Sequence, residues 1–476
     1  ITTLVRYNTS GNRAYENLNV ESPTGTTLNM DGTTNNISVT GAASYNNGSY
    51  TGTTAASYTH TGYSTGFAVH NISNNGNFEV KGNWDLIMTN GASYNNWGFL
   101  SYRPYYATSD SRLVFSGNLN LQADDTTSSF SSTGLVGLSL NLTNSNPNSG
   151  AKAVLENTGT ITIKNGTQSG QSGIAMQLDR GTASSSMAGE LINSGNIIIE
   201  LNTGNVSGST GGVGVFVAVD PYTRPILIKP GNISVTGEGN RAVEIGASVY
   251  GSNDYVNSTI EIDGSNGKII LEGTKNVGLY VQRGLSTTGN NILDNVKNMD
   301  IYINGTNTPA VSRETQSATL KTMDMILNDT VIKKVEFGAD SKQSSIVKVS
   351  YGKVTLDSSL INSIVPINAG TQNSIVSGSY GTVIKNYMPI TINPGAVAMT
   401  GIITNGTFEN YGDIVNNSSS FTTQWGSNYG SLGLVVSGMV AGEYGLNKGN
   451  IEMNGDDATA VYNNGLSLTS ETSYTD

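Results

Sequence analysis

Few residues in this chain have types and spacing suited to chemistry. Its two histidines, His60 and His70, sit in a polar, aromatic-rich stretch. A metal held by two histidines needs a third ligand at fixed spacing, and none stands out. Without cysteine there is no thiolate nucleophile. A serine nucleophile needs a base, and no Gly-Asp-Ser-Gly stretch accompanies one. Asp124–Asp125 and Asp456–Asp457 are the paired carboxylates that a glycosidase would require. Adjacent residues on a strand face opposite sides, so these pairs read as turns. No basic cluster lies beside carboxylates, as a lyase needs. Glycine is too common for phosphate-loop matches to carry information, and Asn-x-Ser/Thr at Asn71, Asn141, Asn165, Asn232 and Asn405 follows from composition. The expectation is a nonenzymatic protein with no catalytic residue, metal or cofactor.

Binding chemistry is better represented. Residues 41–66 carry Tyr45, Tyr50, Tyr58 and Tyr63 among small polar residues. Residues 91–106 carry Tyr94, Trp97, Phe99, Tyr102, Tyr105 and Tyr106, with Arg103 among them. Aromatic rings in a Ser/Gly/Asn background offer contact area at low entropy cost, and tyrosine adds a hydrogen-bonding hydroxyl. Flat rings also stack on sugars, so glycan and protein partners both stay open. The alternative is that these rings pack a loop against the body of the protein. A weaker patch, Phe421, Trp425 and Tyr429 within 417–431, reads as a corner.

The elements that must position such residues follow from a repeat. Gly159 leads Ile161 and Ile163; Gly195 leads Ile197 and Ile199; Gly231 leads Ile233 and Val235; Gly267 leads Ile269 and Leu271. Each step, 195−159, 231−195 and 267−231, is 36 residues. The phrase recurs at uneven spacing at Gly76, Gly117, Gly352, Gly395 and Gly449, so insertions of variable length are expected. A second glycine follows at Gly237, Gly273 and Gly455, then an aliphatic residue at Val243, Leu279 and Val461. The unit is strand, glycine turn and strand, with a third strand holding Ile260 and Ile262. Apolar residues at every second position give each strand one buried face. Such short strands cannot fold alone and must stack on their copies, which predicts an all-β parallel β-helix, or β-solenoid. Propellers of similar period carry aromatic signatures absent here.

Composition agrees. Charged residues make up 12% of the 476, about half the usual ~25%, and 58 glycines face 10 prolines. Polar tracts of this kind can be disordered, but the regular apolar placement opposes that here. Asn and Gly supply the bends that many short strands require. A net charge of −11 disfavours nucleic acid and anionic membranes as partners. No apolar run reaches the ~18 residues of a membrane span, and Ile1 opens no signal peptide. The chain is read as a fragment or mature portion, and as monomeric.

The phrases NTGTITIKNG (157–166), NSGNIIIE (193–200) and KGNIEMNGDDATAVYNNG (448–465) resemble passenger domains of type V autotransporters, closest to the large fusobacterial outer-membrane adhesins. The resemblance covers most of 70–300 and 345–465 and rests on the repetitive pattern. It implies a right-handed β-helix with loop insertions, displayed on the bacterial surface or secreted. Its membrane link would be a C-terminal barrel absent from this chain. It further implies adhesion to host-cell glycans, host receptor proteins (immune receptors among them) or partner bacteria. The alternatives are a structural stalk and a carbohydrate-active β-helix enzyme with acids grouped on one wall. The expected organisation is an irregular, aromatic-rich start (1–116), a regular β-helix (117–311), an insertion or junction (312–344) and a continuation (345–476). In the junction Leu320, Met323 and Leu327 are spaced like one face of a short helix, and Lys333 and Lys334 are solvated.

Overall fold

In a computed structural model, residues 18–99 are described only as strand backbone. From 100 to 464 the chain is described except for 104–109, 125–134, 143–149, 166–172, 180–186, 203–210, 220–224, 248–258, 286–289, 315–321, 366–371, 380, 395–399, 418–431, 438–441 and 455–458. It forms two units, Ile1–Ile301 and Tyr302–Asp476. Both are built from parallel β-structure of the repeating, β-helix type.

In the first unit the chain visits three sheets in turn. One coil runs Lys152–Asn157, Thr160–Asn165 and Gly173–Leu178; the next runs Ala188–Asn193, Asn196–Glu200 and Val213–Val219. Each strand pairs in parallel with its counterpart one coil on. Ile161 faces Ile197, Ile197 faces Ile233 and Ile233 faces Ile269, so the 36-residue repeat is one coil of three strands. Ile260 and Ile262 lie on Ile260–Asp263, the third strand counted from Gly231, after Asn232–Val235 and Arg241–Ala247.

Side chains stack where the register places them. Leu119, Ile161, Ile197, Ile233 and Ile269 form one interior column; Leu113, Leu155, Leu191, Ile228 and Ile262 form another. All are buried, each leucine or isoleucine contributing ~1.5–3 kcal/mol relative to exposure. The repeat glycine is there because turns of successive coils nearly touch: a Cβ at Gly195 would overlap the Gly159 carbonyl oxygen. The first sheet alternates buried and half-buried residues along Ala188–Asn193, whereas every residue of Gly173–Leu178 in the third sheet is buried.

Asparagines satisfy the corners. Asn157 Nδ2 donates to Asn193 Oδ1 at 2.7 Å, with both side chains buried. At another corner, Asn276 Oδ1 accepts from the Asn240 backbone N–H at 2.8 Å, and Asn240 Oδ1 accepts from Gly212 at 2.7 Å. A buried polar group costs free energy unless bonded, so each asparagine closes donors and acceptors that the strands leave at a bend.

The second unit keeps the plan with shorter, uneven coils. A 5-stranded sheet contains Asp324–Leu327, Gly352–Leu356, Thr382–Asn386, Thr407–Asn410 and Gly445–Asn447. A 3-stranded sheet contains Ile390–Ile392, Ile414–Asn416 and Ile451–Met453. Pro309–Arg313, Ser345–Val349, Ser374–Gly378, Thr400–Thr404, Leu432–Ser437 and Thr459–Asn464 pair in succession as a further parallel sheet. The expected helical face at Leu320, Met323 and Leu327 is corrected. Asp324–Leu327 is a strand with Met325 and Leu327 buried, and Leu320 lies outside the described residues. Four-residue spacing fits both periods, and the neighbouring strand Gly352–Leu356 selects the extended form. Lys333 is exposed, as expected, while Lys334 pairs with Glu336 at 2.7 Å.

Arg313 is fully buried at the end of Pro309–Arg313. Its guanidinium donates to the Lys353 carbonyl and, at 2.9 Å, to the Met323 carbonyl. Burial pushes it down to about 10, with Asp324 pulling the other way.

Candidate functional site: an outward tyrosine strip

Of the residues expected to bind, Tyr45, Tyr58, Tyr102 and Arg103 are described. Tyr45 and Tyr58 fall on Ala42–Tyr45 and Ser57–His60, in different sheets, and Arg103 ends Leu100–Arg103. Tyr50, Tyr63, Tyr94, Trp97, Tyr105 and Tyr106, and Phe421, Trp425 and Tyr429 of the weaker patch, lie outside the described residues. Tyr102 is 0% exposed, between Leu140 on one coil and Val69 on another in the strand register. For Tyr102, therefore, the packing alternative holds. His60 and His70 are on strands of different sheets. Asp124 closes the strand Asn118–Asp124, while Asp125, Asp456 and Asp457 lie outside the described residues. Among the described residues, no three His, Cys, Asp or Glu side chains are grouped to hold a metal ion.

A cluster that sequence reasoning missed sits in the second unit, at a corner with a recurring phrase. Asn386-Tyr387-Met388, Asn410-Tyr411-Gly412 and Asn447-Lys448-Gly449 each end one strand of the 5-stranded sheet. In each, the asparagine Nδ2 bonds the carbonyl two residues on, at 2.9, 2.9 and 2.8 Å. Each also joins the next coil: Asn386 Nδ2 to Asn410 Oδ1, and Asn410 Nδ2 to Asn447 Oδ1, both at 2.7 Å. The buried asparagines at 386 and 410 turn the following residue outward, a display position repeated once per coil. The same corner in the first unit reads Asn157-Thr158-Gly159 and Asn193-Ser194-Gly195, with exposed Thr158 and Ser194.

In the second unit the displayed residues are Tyr387, Tyr411 and Lys448. The tyrosine rings stack at 4.8 Å with 5° between planes, and Lys448 Nζ lies 5.6 Å from the Tyr411 ring centroid. The spacing is that of adjacent strands, so the ladder sets the stack. Beside it, Glu409 is buried and multiply bonded. Tyr444 Oη donates to its Oε1 at 2.5 Å, Tyr411 Oη to its Oε2 at 3.0 Å, and Lys385 Nζ lies 3.1 Å from Oε2. The Tyr444 hydroxyl, helped by Lys385 and Tyr411, holds Glu409 below the usual carboxylate range against the effect of burial. The hydrogen bonds that Glu409 accepts, with its charge adding, in turn raise the Tyr411 and Tyr444 phenols and the Lys385 ammonium. Tyr387 and Tyr444 remain 43% and 51% exposed. The legible signal was Asn-Tyr after an alternating strand, hidden by the abundance of asparagine.

No family model, curated protein or solved structure matches this chain. Among the described residues no helix is long and apolar enough to cross a membrane.

Proposed function

We propose that this chain is an adhesive segment of a bacterial surface protein, a right-handed β-helix of autotransporter-passenger type that carries binding residues on its outer faces. The observation that supports this most is the division of labour at the asparagine corner. Asparagines turned inward fix the coil spacing, and the residue between is left to face a partner. In the second unit that residue becomes aromatic or cationic, which a spacer does not require. Host-cell glycans, host receptor proteins and partner bacteria are the partner classes, and the insertions at 41–66 and 91–106 are further candidate surfaces. The test is adhesion: beads coated with the chain should hold to host cells or partner bacteria more strongly than beads coated with an unrelated β-protein. Equal adhesion would favour a stalk. Turnover of a polysaccharide by the purified chain would favour the enzyme.

A further inference from the structure

We propose that the tyrosine strip of the second unit, Tyr387, Tyr411 and Tyr444 with Lys385, Glu409 and Lys448, is a binding site for a neutral pyranose sugar. The proposal rests on the adhesin reading and gives it a site and a ligand class.

Three observations carry it. First, the exposed rings are already in place. Tyr444 is half open to solvent, yet its hydroxyl is anchored on a buried carboxylate, and Tyr387 is held by its stack on Tyr411. An anchored ring loses little freedom when a ligand packs against it, which is how preorganised aromatic sites gain affinity. Second, the charge leans acidic. Lys385 and Lys448 face three carboxylates: Glu409, exposed Asp413 two residues beyond Tyr411, and Glu443 beside Tyr444, which accepts from the Gly381 N–H at 2.9 Å. A strip with this excess disfavours an acidic sugar over long range, while its ammonium and phenol groups still bond hydroxyls. Third, the apolar exposure is small. Among the described residues the exposed large hydrophobics are Tyr351, Tyr387, Tyr444 and Val461. A stable protein interface needs ~800 Å² per partner with an apolar centre, whereas a sugar ring needs one or two aromatic contacts.

The test is titration of the intact chain with maltose, lactose and cellobiose as neutral probes and glucuronic acid as the acidic one, read by saturation-transfer NMR. At least one neutral disaccharide should bind, and the chain should prefer it to glucuronic acid. Tyr387→Ala and Tyr444→Ala should each weaken it about tenfold with unchanged melting. Tyr444→Phe, which keeps the ring, should stay within about threefold. Should either alanine variant fail to fold, wild-type chain with ring-deuterated tyrosine replaces it, and transfer to the sugar should then collapse. The proposal is overturned if no neutral probe binds, if glucuronic acid binds better, or if the alanine variants or the deuterated chain behave as wild type. Bead adhesion that persists in the alanine variants would sink the site and leave the adhesin reading standing. Loss of adhesion by the wild-type chain would sink the reading itself.

Discussion

The side-chain amide of Asn386 donates to Oδ1 of Asn410 across two coils at 2.7 Å, and the next residue of each, Tyr387 and Tyr411, stack outside at 4.8 Å. One backbone register serves both ladders. The inner one closes polar groups that water cannot reach, and the outer one presents rings.

Removing the middle rung should therefore cost more than removing an end. Asn410→Ala leaves the Asn386 amide without its cross-coil acceptor and Asn447 Oδ1 without its donor. The buried Asn386 amide then keeps only its bond to the Met388 carbonyl, while exposed Asn447 can turn to water, so a loss of about 1–3 kcal/mol is expected. Hydrogen exchange should report it as faster opening at 382–416, since a repeat array opens locally. Unchanged protection there would contradict the ladder.

Glu409 gives the cluster an acid limb. Its folded-state pKa is depressed, so its contribution is present above the unfolded value of 4.5 and is lost as pH falls through the folded value. Lys385, Tyr411 and Tyr444 are raised, so theirs is present below about 10 and declines as pH rises through their folded values. Glu409→Gln should melt below wild type on the plateau between, and the two curves should converge in acid. A gap of constant size from neutral pH to pH 3 would rule this out.

Two glycines of the second unit separate strain from crowding. Gly352 has φ +86°, and a Cβ there would lie 2.8 Å from Arg313 Nη2, whereas Gly381 has φ +74° and open space around it. Gly381→Ala should cost about 1 kcal/mol for backbone strain alone. Gly352→Ala should cost roughly 1–3 kcal/mol more, because a buried, hydrogen-bonded guanidinium must move. Equal melting of the two variants would show that Arg313 yields freely.

The absence of cysteine permits a direct check of register. Thr162 and Ile198 are paired on adjacent coils, and in-register Cα atoms of neighbouring strands fall within the ~4.4–6.8 Å that a disulfide spans. Thr162→Cys with Ile198→Cys should oxidise spontaneously to a cross-linked monomer. Thr162→Cys with Glu200→Cys, two residues out of register, should not. The reverse pattern would mean the strands pair differently.

The coil was legible because its evidence is periodic. Gly159, Gly195, Gly231 and Gly267 mark a turn too tight for a Cβ, and the apolar residues two and four places on fill one column each. The outward chemistry was not, because it is set by single residues between repeated neighbours: Tyr411 follows its corner asparagine as Ser194 follows Asn193. Tyr102 misled for a related reason. Its neighbours suggested a binding loop, but Leu100 and Tyr102 alternate as strand residues and both are buried. Leu327 sat at a spacing that helix and strand share, and only strand pairing decides it.

The most direct measurement is binding of fluorescently labelled chain to host cells, with and without excess neutral disaccharide. The expected result is saturable binding that the disaccharide reduces and that Tyr387→Ala with Tyr444→Ala abolishes while the fold persists. Non-saturable binding, equal to that of an unrelated β-protein and indifferent to sugar, would contradict it.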